Sequence, residues 1–333
     1  MDELLFPVAA LALTFLVIMP AMTLLSGWNL RRRRAHAGSW TEFGSGSTYA
    51  WLVAPTLVPL VWLTSSALHE VEAGAFRSCF IDHSEPTCID AFLLLGALAL
   101  GAVVLVSRQA IRGRDRSKPM TLDRSHPIAA RVHEIVAGHP ALSKLRVRVV
   151  RGSLIPVYTT GFFAPRVHVD SCFVRSADSS MLLSALLHER AHIAGRDTLR
   201  LFLGRLCLSA NPWRRLLQPE FERWRHAREA CCDGDAIEDG GEALALAQSI
   251  VQAARFNCIE AAGAAAMLCG HDHQAVTLRV MLLMDRPRAT ARSFGQFILF
   301  AALVVSAAMP HADATQLLSS FHFEVERLLH GLV

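Results

Sequence analysis

Charge is scarce in this chain. Only 19% of its 333 residues are Asp, Glu, Lys or Arg and the mean hydropathy is +0.33, too apolar for an ordinary soluble domain. What charge there is gathers in the middle of the sequence, which argues against a pure transporter. A basic face interleaved with aromatic residues is also lacking. The formal net charge is +4 and the arginines flank apolar runs, so no direct contact with nucleic acid is expected. The first apolar run has no cationic segment ahead of it and opens with Asp2 and Glu3, so it is expected to persist as a helix, not to be cleaved as a signal. No repeat of solenoid length is present. These absences leave membrane spans around a soluble insert.

Four apolar stretches are candidate spans: roughly 4–28, 49–68, 91–106 and 294–309, against the ~20 residues a helix needs to cross a bilayer. Prolines in or beside three of them (Pro7, Pro20, Pro55, Pro59, Pro310) are tolerated where neighbouring helices satisfy the freed carbonyls. Arg31–Arg34 after the first stretch, Arg108, Arg112, Arg114 and Arg116 after the third, and Arg286, Arg288 and Arg292 before the fourth place those flanks in the cytoplasm, with both termini outside. The expected fold class is a mainly α membrane protein with four transmembrane helices. Residues 1–107 form a membrane region, 108–292 a cytoplasmic α+β domain containing a small β-sheet, 293–310 the fourth helix and 311–333 a short outer amphipathic tail. That tail lies on the membrane, on a partner or on the chain's own spans. Cys79 and Cys88 share the outer loop, where they either form a disulfide or remain two thiols; the other six cysteines lie on the reducing side.

In the insert, Leu145–Val150, Val157–Phe163 and Arg166–Val169 read as three strands, and Arg166–Asp170 is a candidate edge strand for pairing with an extended substrate. The polar cluster Ser176–Ser180 caps a helix that runs from Met181 through His192, and Asn211-Pro212 breaks the next one. A further helix covers Glu220–Ile237, an alanine-rich one starts at Glu242, and Gly270 with His271-Asp-His273 reads as a loop.

His188-Glu189-Arg190-Ala191-His192 is an H-E-x-x-H motif. On a helix its histidines stand about 40° apart around the axis, so both imidazoles meet one ion. Zn²⁺ suits two imidazoles and a carboxylate, leaving one position where water becomes a nucleophile at neutral pH. Glu189, one position on, takes the proton and passes it to the leaving amine. Thr198 stands where an extended H-E-x-x-H-x-x-G-x-x-H pattern would place a third histidine. Asp197 would need a distorted turn to coordinate, so Glu229 is the preferred third ligand, with Asp233 one helical turn on, able to orient a ligand histidine. Vicinal Cys231 and Cys232 read as small buried helix residues.

These motifs resemble the BlaR/MecR-type antirepressor metallopeptidases, membrane zinc proteases with four spans and a cytoplasmic gluzincin-like domain. The likeness rests on the span layout, Gly161-Phe-Phe-Ala-Pro165-Arg-Val-His-Val, His188-Glu-Arg-Ala-His192 with Arg196-Asp197, Asn211-Pro212, Arg228-Glu229-Ala-Cys-Cys-Asp233 and, more weakly, Leu278-Arg-Val-Met-Leu-Leu283. It implies a bacterial inner-membrane zinc endopeptidase with His188, His192 and Glu229 as ligands, Glu189 as base and Asp233 behind them; Asp197 also matches a family position. The implied substrate is a cytoplasmic transcriptional repressor. The alternatives are quality control of membrane proteins and a catalytically silent zinc-containing transducer. Only Pro310–Val333 follows the last apolar stretch, so no penicillin-binding sensor domain is expected. The signal is then expected through the outer loop, the spans or a partner protein; the expected partners are a sensor protein or a second copy of the chain.

Overall fold

The described parts of the first three apolar stretches fold as helices. The computed structural model describes residues 11–36, 40–70, 87–112, 120–153, 155–261 and 269–284. A π-helical turn, Thr14–Ile18, leads into α1 (Met19–His36), then come α2 (Gly46–Glu70) and α3 (Thr87–Arg112). By length and hydropathy two stretches qualify to cross a bilayer, Leu11–Ala35 and Gly46–Thr64, whereas the apolar part of α3, Leu95–Arg108, is shorter. The described residues thus hold two candidate spans where four were expected along the chain. The stretch 294–309, the tail and the side chains of Cys79 and Cys88 lie outside the described residues.

Two prolines sit inside α2, Pro55 and Pro59. A proline at 55 cannot donate to the carbonyl four residues back. That carbonyl, of Trp51, instead accepts a hydrogen bond from the Ser26 hydroxyl of α1, so the neighbouring helix satisfies what the proline leaves open.

The insert begins with β1 (Met120–Thr121) and α4 (Pro127–Gly138), followed by β2 (Val147–Arg151), β3 (Val157–Thr160) and β4 (Arg166–Asp170). The four strands are ordered β1-β2-β4-β3. β4 runs parallel to β2, with Val147 opposite Val167, and antiparallel to β3, with Thr160 opposite Arg166. Val147, Val149, Val167 and Val169 alternate inward and are buried, which sets one face of the sheet against the helices. Three of the strands fall where the sequence pattern puts them. β4, however, is central and not an edge: both its sides are used by β2 and β3, and among the described residues the unpaired edge beside the helix carrying His188 and His192 belongs to β3.

After the short α5 (Ser171–Ser176) come α6 (Ser179–Ala194), α7 (Asp197–Ala210), α8 (Gln218–Glu238), α9 (Ala243–Ala261) and α10 (Cys269–Met284). Asp178 caps α6, its carboxylate accepting the Met181 N–H at 2.8 Å. Leu182, Leu186 and Leu187 then enter the sheet-facing core with Val149, Val169 and Phe173. A second core joins α1 and α2 to α7 and α8 through Leu30, Leu52, Leu208, Phe221 and Trp224. His271-Asp-His273, expected in a loop, lies within α10; a single glycine does not stop a helix whose following residues, Val276 and Val280, pack on the core.

Candidate metal centre

His188 and His192 lie one turn apart on α6, their Nε2 atoms 3.1 Å from each other and their rings edge to face. From α8, Glu229 places Oε2 3.4 Å from His188 Nε2 and Oε1 3.5 Å from His192 Nε2. All three donors fall within 4.8 Å of one another and can hold a metal ion. The spacing suits tetrahedral coordination: ligand atoms about 2.0–2.1 Å from a zinc-sized ion stand about 3.3 Å apart. Two buried imidazole nitrogens facing each other and a carboxylate need a shared cation or shared protons.

The opposite ring nitrogens are tied down. His192 Nδ1 hydrogen-bonds Asp197 Oδ2 at 2.8 Å. His188 Nδ1 stands 2.8 Å from Asp233 Oδ1, off the ideal hydrogen-bond line. A proton on each Nδ1 leaves each Nε2 lone pair directed at the shared point. Asp197 reaches this position because Arg196 turns the chain in the left-handed region at φ 53°. This turn aims Asp197 at the back of His192, away from the shared point.

Two arginines secure these carboxylates. Arg228 Nε lies 3.0 and 2.8 Å from the Asp197 oxygens. From α10, Arg279 donates to Asp233 at 2.7 and 2.6 Å and stands 3.1 Å from Glu229 Oε2. Arg279 was not singled out from the sequence, although its segment, Leu278–Leu283, belongs to the weakest part of the family likeness; no local spacing links it to residues more than forty positions earlier.

Cys232 is buried behind His192, its Sγ 3.3 Å from Nδ1 and donating to Asp197 Oδ2 at 3.4 Å. His192, Asp197 and Cys232 form a second group with metal-ligand spacing. Arg228 already pairs with Asp197 there, and burial pushes the Cys232 thiol up to about 12. Cys231 faces the other way and donates to the Thr41 carbonyl at 3.2 Å.

Burial opposes every charge at this centre, and the neighbours overcome it. Glu229 is raised by burial but held well below the usual carboxylate range by His192, Arg279 and His188. Asp233 is likewise held down against burial by Arg279 and His188. For His192, burial lowers the pKa, yet Cys232, Glu229 and Asp197 together lift it well above the ordinary histidine value. His188 is also raised, by Asp233 and Glu229 against burial.

Glu189 stands apart from this ion-paired set. It is buried on α6, and its Oε2 accepts a 2.6 Å hydrogen bond from the Thr159 hydroxyl on β3. The sheet edge therefore holds the carboxylate next in sequence to His188. Comparison with protein-family models, curated proteins and solved structures finds no match for this chain, so the chemistry assigned to the centre rests on its own residues.

Proposed function

We propose that the protein is a zinc-dependent endopeptidase of the bacterial inner membrane, with four spans and a cytoplasmic catalytic domain, which cleaves a repressor-like cytoplasmic protein in signal-regulated proteolysis. One observation carries this reading: a three-residue donor set, His188, His192 and Glu229, is accompanied by a carboxylate outside it, Glu189, held separately by Thr159. A structural metal needs ligands only, whereas hydrolysis also needs a base beside them.

When bound, zinc supplies an electrophile for a peptide carbonyl and makes water a nucleophile at neutral pH. Glu189 accepts the proton that this water loses and delivers it to the peptide nitrogen as the C–N bond breaks, so proton count and charge balance. Asp197 and Asp233 keep each ligand histidine in one tautomer and orientation through Nδ1. The free edge of β3 offers backbone donors and acceptors to an extended polypeptide beside Glu189.

The test compares cellular protein N-termini between strains expressing the intact protein and Glu189→Gln at matched abundance and zinc content. Termini that depend on Glu189 are expected, and their identity separates a repressor from misfolded membrane proteins. Identical termini with full zinc content in both strains would sink the peptidase reading in favour of a silent transducer.

A further inference from the structure

The hairpin between β3 and β4 ends in an exposed aromatic pair. Gly161, at φ 94°, makes the turn; a side chain there would meet the Ala164 carbonyl oxygen at 2.9 Å. Phe163 is 95% exposed, and the half-exposed Phe162 packs on Phe202 of α7 with ring centroids 5.0 Å apart. Leu203 beside it is also exposed. Single exposed apolar residues need no explanation, but an exposed phenylalanine at a hairpin tip next to other exposed apolar side chains does.

The position of α7 supplies one. Tyr49 of α2 donates to the Arg200 carbonyl at 2.9 Å, and Thr56 donates to the Cys207 carbonyl at 3.0 Å. Both pairs are seven residues apart on their own helices, so α7 runs parallel to α2 and in register with it over about 10 Å. Phe202 and Leu203 therefore lie level with the first turns of the candidate span Gly46–Thr64. At the far end of α7, Asn211 donates to the buried Thr23 of α1, the midpoint of the candidate span Leu11–Ala35, so α7 runs inward along the spans from the level of Phe202 and Leu203.

We propose that the Phe162-Phe163 tip, with Phe202 and Leu203, inserts into the leaflet bordering the metal centre, and that this centre receives polypeptide held at the membrane surface. This rests on the membrane peptidase reading above and narrows its cytoplasmic substrate to polypeptide held at the membrane surface. Thr159, which holds Glu189, lies three residues before Phe162 on the same hairpin, so anchoring the tip brings the β3 edge to the lipid surface.

The test places a benzophenone amino acid at position 163, 24 or 155 of the full chain in nanodiscs of phosphatidylethanolamine and phosphatidylglycerol. Leu24 is exposed on α1, and Ile155 is exposed at the end of β3 away from the tip. Phospholipid adducts are expected at 163 and 24 and not at 155. An adduct at 24 with none at 163, or adducts at 163 only with protein, would overturn tip insertion while leaving the spans intact; no lipid adduct at any position would remove the membrane reading as well. In parallel, Phe162→Ser/Phe163→Ser is expected to slow cleavage of a membrane-anchored peptide about tenfold and to leave the same peptide in free solution within about twofold. Equal loss on both peptides would overturn the substrate class.

Discussion

Arg279 grips both oxygens of Asp233, at 2.7 and 2.6 Å, and that carboxylate in turn stands 2.8 Å from Nδ1 of His188. A residue on the last described helix thereby sets the orientation of a candidate metal-ligand histidine on α6. Arg279→Ala leaves a buried carboxylate uncompensated. The expected cost is about 3–5 kcal/mol of stability and roughly 10–100-fold in zinc affinity, read by thermal unfolding and by competition with a chelator. Arg279→Lys keeps the charge but not the two-pronged geometry and should fall between; zinc affinity unchanged in both variants would refute the role.

In the proposed centre, zinc and protons compete for the same nitrogens. His188 and His192 have raised pKa values without metal, so in the metal-free protein their imidazolium forms stabilise the fold. That contribution is complete below about pH 6.5 and is lost as pH rises through the higher folded values. Binding zinc requires neutral rings and must release protons at pH 7. Calorimetry in buffers of different ionisation enthalpy should show that release, and zinc affinity should already be weakening as pH falls towards 6.5. Binding without proton release at pH 7 would contradict the assignment.

Gly44 is packed where no side chain fits. A Cβ there would come within 2.7 Å of Cys231 Sγ and 2.8 Å of the Ala227 carbonyl oxygen, whereas one on Gly46 would meet nothing within 4 Å. Gly44→Ala should cost about 1–3 kcal/mol by overpacking and disturb α8, the helix carrying Glu229. Gly46→Ala is the control, expected to unfold close to the intact protein; equal melting temperatures for both variants would count against this contact.

Burial pushes the Cys231 thiol up to about 11 and the Cys232 thiol up to about 12, leaving little thiolate at neutral pH. Cys172 is exposed. Alkylation at pH 8 followed by peptide mapping should modify Cys172 readily and spare Cys231 and Cys232 by roughly a hundredfold. Rapid labelling of Cys232 would mean that the shell behind His192 is open.

Thr159 tests how Glu189 is held. Thr159→Val removes the 2.6 Å hydrogen bond while keeping side-chain volume. Peptide cleavage should fall about tenfold or more with zinc content unchanged. Loss of zinc together with activity would instead indicate a general loosening of α6.

What the sequence determines by itself is what a short stretch of chain can encode. The H-E-x-x-H spacing puts His188 and His192 on one helical face, Glu229 and Asp233 recur one turn apart, and the Val147–Val149 and Val167–Val169 alternation marks strands with one buried face. These follow from helix and strand periodicity, which needs no partner. The tertiary structure decides everything that depends on distant segments meeting: that Asp197 backs His192 while Asp233 backs His188, that Arg279 clamps Asp233, and that Cys232 is buried against His192. It also decides that β3, not β4, keeps the free edge, because strand order is set by the packing of the whole sheet and no periodicity within one strand reports which neighbours will pair with it.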